Sequence, residues 1–264
     1  MKAEIPDPVV AVDQPGGGAL PFFGKTAFVT GASRGIGASV ARQLAESGAD
    51  VAINYRSKTN RAQQVADEIA ALKRRVLLLQ GDITNVTDIG SMFSKIESEW
   101  KRLDILVLNA SGGLEKGKDA GYAMRLNMTA QVDLVQGALR LLPKGGRIVF
   151  VTSHLAHFYG VKPVYDGYEP VAASKKAGEE ALRRMIPELS RLGIRLVVVS
   201  GDLIEGTITP RLLQRQSPGL IESRRQEAGS LPSVEDFAAA IVQAAADESC
   251  ATGETIYVGS TDWS

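Results

Sequence analysis

The run Thr30-Gly31-Ala32-Ser33-Arg34-Gly35-Ile36-Gly37 places three glycines, a serine and an arginine directly after an apolar segment and at the start of a helical pattern. Residue types in that order can bind a pyrophosphate. The backbone N–H groups of a strand-to-helix turn converge on an anion, the helix dipole favours negative charge, and glycine lets backbone and phosphate approach closely. Gly31, Ser33, Arg34, Gly35, Ile36 and Gly37 are therefore the first candidate binding residues. A glycine triplet alone is common; weight comes from the strand before it, the helix after it and a βαβ unit of the right length. Other chemistries are thinly supplied. One cysteine, Cys250, allows neither an internal disulfide nor a multi-thiolate metal site, and the two histidines, His154 and His157, do not make a zinc cluster. No metal is expected, and the cysteine usage points to a reducing, cytoplasmic setting.

The elements that must hold this loop are legible as short apolar runs at Thr26–Thr30, Val51–Asn54, Val76–Leu79, Ile105–Leu108, Ile148–Thr152, Leu196–Val199 and Thr255–Val258. Between them, apolar residues recur at helical spacing, as in Ile36-Val40-Leu44, Val65-Ile69-Leu72 and Ile89-Met92-Phe93-Ile96. Gly24, Gly48 and Gly193 mark boundaries. Near-continuous apolar strands alternating with helices predict a doubly wound α/β domain, a seven-stranded parallel sheet flanked by helices. The 264 residues suit one such domain, expected over 21–264. Residues 1–20 carry Pro6, Pro8, Pro15 and Gly16-Gly17-Gly18, without the charged and apolar regions of a secretion signal, and are expected to be a disordered extension. The stretch 207–231 breaks the rhythm with Pro210, Pro218, Gly219 and Arg224-Arg225, at the sheet edge where ligands bind. A substrate lid is expected there, with a plain surface excursion as the alternative.

The T-G-x-x-x-G-x-G spacing, together with Asp82, the turn Asn109-Ala110-Ser111-Gly112, Asn127 and Ser153, resembles the short-chain dehydrogenase/reductase family from about Gly24 to Val258. The resemblance implies a Rossmann-type fold in which Asp82 and Ile83 hold an adenine, Asn109 the adjacent backbone and Lys175 a nicotinamide ribose, with Ile204 in the nicotinamide loop. Leu108 stands where the family usually has a first asparagine. An NAD site usually ends its second strand with a carboxylate, whereas this one ends Asn54-Tyr55-Arg56-Ser57-Lys58. Arg34 and Arg56 suit the extra phosphate of NADP(H), which is the cofactor expected.

In the commonest branch of the family the proton donor is a tyrosine four residues before the lysine, and that position is Val171. Tyr168 instead precedes Lys175 with six residues between, a Y-x6-K spacing similar to that of the enoyl-thioester reductases of the same superfamily. Seven helical steps leave the two residues only about 20° apart in azimuth but about 10 Å apart along the axis. Pro170 suits a first helical position, so Tyr168 is expected just outside the helix, able to fold back. The implied chemistry is hydride transfer to an activated C=C or C=O of an enoyl or ketoacyl thioester, enone or ketone. Tyr168 would act as donor, Lys175 as the cation beside it, Ser153 as a second hydrogen-bonding group and Asn127 as the holder of a water. Tyr165 is the reserve donor, and His154 or His157, expected on a loop after Ser153, are further alternatives. A catalytically silent NADP-binding sensor is the competing reading, motivated by the missing tyrosine at 171.

Lys plus Arg and Asp plus Glu both number 30, so no global field draws the chain to nucleic acid or an anionic membrane. Its longest apolar runs fall short of the roughly 20 residues a membrane helix needs. Lys73-Arg74-Arg75, Lys175-Lys176 and Arg183-Arg184 are expected to be mostly solvated faces. The partner expected is a small-molecule or acyl-thioester substrate. The long segments Ala120–Leu142 and Val171–Leu192 correspond to the helices through which family members form homodimers or homotetramers.

Overall fold

The computed structural model describes residues 20–115 and 117–262. The expected extension at 1–20 therefore lies, but for its last residue, outside the described residues. Seven strands form one sheet: β1 (Thr26–Val29), β2 (Asp50–Tyr55), β3 (Val76–Gln80), β4 (Ile105–Leu108), β5 (Arg147–Ser153), β6 (Arg195–Gly201) and β7 (Thr255–Val258). Their order is β3-β2-β1-β4-β5-β6-β7, with every neighbour parallel. All seven occur where the apolar runs predict them.

The alternation of side chains along each strand divides the core in two. Ala27, Val29, Ile105, Val107, Val149 and Val151 face α1 (Gly35–Glu46), α2 (Thr59–Ala71) and α11 (Val234–Ala246). Phe28, Leu106, Leu108, Ile148 and Phe150 face the opposite way, toward α3 (Val86–Trp100) and the helix that starts at Ala130. On that side Phe28 and Phe93 meet edge to face, ring centroids 5.6 Å apart. Helix ends are set locally. Asn85 accepts from the Thr87 N–H at the start of α3, and Ser233 with Asp236 makes a capping box at the start of α11.

Three long segments depart from simple helices. Ala120–Leu142 holds a short α4 (Tyr122–Met124), a π turn at Arg125–Thr129 and α5 (Ala130–Ala138). Val171–Leu192 is split at Met185 into α7 (Glu169–Arg184) and α8 (Ile186–Arg191), the second opening on Pro187. The stretch 207–231 forms α9 (Ile208–Gln216) and α10 (Leu220–Ala228), joined through Gly219 at φ +91°. After β5, His154–His157 is a helical turn, α6, and not the expected loop, so both histidines are fixed by packing. Arg183 is also less solvated than expected. It donates to Glu179 on its own helix, to Gly253 O and, at the start of β7, to Thr255 Oγ1. No helix among the described residues is long and apolar enough to cross a membrane.

The π turn is matched to α7 by a glycine. A Cβ on Gly178 would lie 2.0 Å from the carbonyl oxygen of Asn127, so only a residue without a side chain lets the helix pack this close.

Candidate active site

The carboxyl ends of the strands open on one cleft of about 960 Å³, whose lining runs from the glycine turn after β1 to Arg224 on α10. Its glycine turn is held from three strands. Thr30 Oγ1 donates to Val107 O and accepts from the Asn109 and Ala110 N–H groups, while Asn109 Nδ2 donates to Thr30 O at 2.9 Å. Asn54, buried at the end of β2, accepts from the Gly31 N–H and donates to Leu79 O and Gly81 O. Gly31 sits at φ +65°, and a Cβ on Gly37 would approach Gly31 O to 2.7 Å and Asn109 Nδ2 to 2.5 Å. The turn is thus closed behind by protein and open in front, where Ser33, Arg34, Gly35 and Ile36 line the cleft.

Beyond the turn lie Asp82, Ile83 and Arg56. Burial pushes the Asp82 carboxyl up, but the backbone and hydroxyl bonds from Thr84, with the Arg56 charge 3.8 Å away, hold it below the usual range. Arg56 donates to Tyr122 Oη at 2.8 Å, a brace from a residue 66 positions later. Lys58 and Arg61 line the same corner, and with Arg34 they have no acidic partner among the described residues. Arg61 lies one helical turn beyond Lys58, so basic spacing after β2 is enough to find it, whereas the role of Asn54 depends on partners distant in the chain. A glycine cradle beside three uncompensated cations and no acid at the end of β2 fits a dinucleotide carrying an additional phosphate.

The other end of the cleft holds the remaining candidates. Ser153 ends β5. Tyr168 stands immediately before α7, as expected, with Pro170 in its first turn. Tyr168 is 3 % exposed, and its hydroxyl lies 3.4 Å from Ser153 Oγ. Burial raises the phenol above its ordinary value, with Ser153 pulling the other way, so it stays protonated. Lys175 is buried too. Desolvation lowers its ammonium to about 8, against an opposing pull from Glu179. Tyr168, Ser153, Lys175 and Ile204 all line the cleft, so the structure brings them together.

Asn127 is placed differently. Its amide is spent on the Asn109–Gly112 turn and α7: Oδ1 accepts from Gly112 N–H, and Nδ2 donates to Gly112 O and Ser174 Oγ. The histidines are engaged elsewhere. His154 is bonded to Ser200 Oγ at 2.8 Å, and burial lowers it to about 4, which keeps it neutral. His157 bridges Glu179 and Tyr257. Tyr159 donates to Glu169. Of the four candidate proton donors, Tyr168 alone is hydrogen-bonded to Ser153.

A sequence model of the short chain dehydrogenase family matches residues 25–216. Hydroxynaphthalene reductase arp2 of Aspergillus fumigatus is 33% identical over 216 residues, 79% of this chain and 77% of that protein. A short-chain dehydrogenase from Burkholderia cenocepacia, solved with NADP, superposes with a TM-score of 0.77 at 30% identity, covering 90% of this chain and 97% of the other. The angucycline C-6 ketoreductase LanV, solved with bound NADP, has a TM-score of 0.77 at 28% identity, covering 91% and 96%.

Proposed function

The chain belongs to the short-chain dehydrogenase/reductase family and is an NADP(H)-dependent oxidoreductase, and from that premise we propose that it reduces the carbonyl group of an apolar ketone to an alcohol. The observation that carries this reading is the pair of hydroxyls, Tyr168 Oη and Ser153 Oγ, 3.4 Å apart at the buried end of the cleft. Two donors so placed suit a single oxygen on which negative charge develops. The relatives support it: arp2 is a hydroxynaphthalene reductase and LanV a ketoreductase.

In this reading Gly31, Ser33, Arg34, Gly35, Ile36 and Gly37 hold the pyrophosphate. Asp82, Ile83 and Asn109 border the adenosine side, Arg34 and Arg56 the additional phosphate, and Lys175 and Ile204 the nicotinamide half. When bound, NADPH supplies a hydride to the carbonyl carbon. Ser153 and Tyr168 hydrogen-bond the carbonyl oxygen, and Tyr168 gives it a proton as the C=O bond becomes CH–OH. The Lys175 ammonium stabilises the phenolate, which recovers its proton from solvent. Asn127 acts as a positioning residue, tying the 109–112 turn to α7. The helices at 207–231 cover the site as a lid and exclude water from it.

A second reading, reduction of a conjugated C=C bond, is favoured by the Y-x6-K spacing. Product analysis separates them. NADPH consumption with a panel of ketones, enones and enoyl thioesters is expected to yield alcohols, and Tyr168→Phe to lower kcat by about 10²–10³. Saturated ketones or thioesters as products would establish the second reading. Unchanged turnover in Tyr168→Phe would remove Tyr168 from the chemistry.

A further inference from the structure

The space beside Tyr168 is walled by apolar side chains. Leu155, Val171 and Leu203 line it, and the buried Leu213 belongs to the same apolar cluster, against which Ile221 and Leu231 pack. Of the polar groups that line this part of the cleft, His154, Asp202 and Arg224 are already committed. His154 is bonded to Ser200. Asp202 and Arg224 hold each other through two hydrogen bonds, of 3.0 and 2.7 Å, and Arg224 also donates to Ser260 O and Asp262 O.

Tyr165 is not committed in this way. Its ring lines the cleft and packs on the apolar cluster, yet its hydroxyl has no hydrogen-bond partner among the described residues. The chain presents it to the same cleft as Tyr168. Tyr165-Asp166-Gly167-Tyr168 is a tight turn closed by Tyr168 N–H donating to Tyr165 O at 3.0 Å, with Gly167 at φ +72°. One turn thus sends two phenols into one cleft. Tyr168 meets Ser153, whereas Tyr165 lies within electrostatic reach of the Asp202–Arg224 pair, and burial keeps its hydroxyl protonated. A half-buried hydroxyl in an apolar wall gains from a ligand oxygen that both accepts and donates.

We propose that Tyr165 is a specificity residue that hydrogen-bonds a second oxygen of the substrate, so that the enzyme selects apolar ketones carrying a further hydroxyl or carbonyl group. This rests on the placement of the reacting carbonyl at Tyr168 and Ser153. Tyr165 takes no part in the hydride or proton transfer.

The test compares 2-tetralone with a set of ring-hydroxylated 2-tetralones in wild type and Tyr165→Phe, reading the ratio of kcat/KM between hydroxylated and plain ketone. The corresponding alcohols are titrated calorimetrically into the protein–NADP complex in parallel. Wild type is expected to favour at least one hydroxylated isomer by about threefold to tenfold, the worth of one neutral hydrogen bond, and Tyr165→Phe to bring that ratio close to one in both assays. A ratio unchanged by the mutation, or no preference in wild type for any isomer, overturns the proposal while leaving carbonyl reduction standing. If wild type reduces none of these ketones, the reading of the reaction fails, and the binding ratios alone decide the role of Tyr165.

Discussion

Replacing Lys175 with methionine is expected to abolish turnover and yet make the fold more stable. The ammonium is buried within α7, and desolvation lowers its pKa from the ordinary 10.5 to about 8. Each unit corresponds to about 1.4 kcal/mol, so the charged lysine costs the folded protein up to about 3 kcal/mol at pH 7. Methionine has similar length and carries no charge to desolvate. Glu179 is not orphaned by the change, because His157 and Arg183 still bond it. A gain of about 1–3 kcal/mol follows, and each kcal/mol raises Tm by about 2–4 °C in a chain of this size. The pH dependence is more specific than the magnitude. Between pH 8 and 10.5 the unfolded lysine holds its proton and the folded one has lost it, so wild-type stability rises with pH relative to Lys175→Met. The penalty is complete below pH 8 and gone above 10.5. Urea denaturation of both proteins without cofactor, at pH 7, 8, 9 and 10, measures the difference. A methionine variant less stable than wild type at pH 7, or a difference that does not shrink as pH rises, would refute the reasoning.

Two other perturbations probe the ends of the cleft. Arg34→Ala and Arg56→Ala are each expected to weaken NADPH binding about 10-fold to 100-fold, the worth of a charge-assisted hydrogen bond, and to leave NADH binding nearly unchanged; calorimetric titration of both nucleotides checks this, and equal weakening of the two would place the arginines elsewhere. Arg224→Met strands the Asp202 carboxylate in a buried site and should cost about 3–5 kcal/mol in urea denaturation, most of it recovered in the double variant Asp202→Asn/Arg224→Met.

The sheet was readable in the sequence because its central strands are buried on both faces, and a run such as Ile105-Leu106-Val107-Leu108 has no other common explanation. Tyr168 was readable for a different reason: Pro170 locates the start of α7 whatever the tertiary context. What was not readable depends on partners distant in the chain. The brace between Arg56 and Tyr122 spans 66 residues, and the bond from Asn127 to Ser174 spans 47, so neither leaves a local pattern. The helices at Ile208–Gln216 and Leu220–Ala228 are short and contain or adjoin Pro210, Pro218 and Gly219, which read as breakers although they serve as helix starts here. His154 and His157 looked like loop residues because a single helical turn is shorter than any periodicity can reveal.

The meeting of Gly178 with the π turn has a consequence for how such a sequence can change. A π turn holds one residue more than an α turn, and here that surplus thrusts the Asn127 carbonyl toward the place where any other residue at 178 would put its Cβ. Loss of the surplus residue would swing the Asn127 amide away from Gly112 and Ser174, and gain of a side chain at 178 would push α7, with Lys175 on it, off the π turn. The register of the chemical centre therefore rests on a residue at 178 that has no side chain.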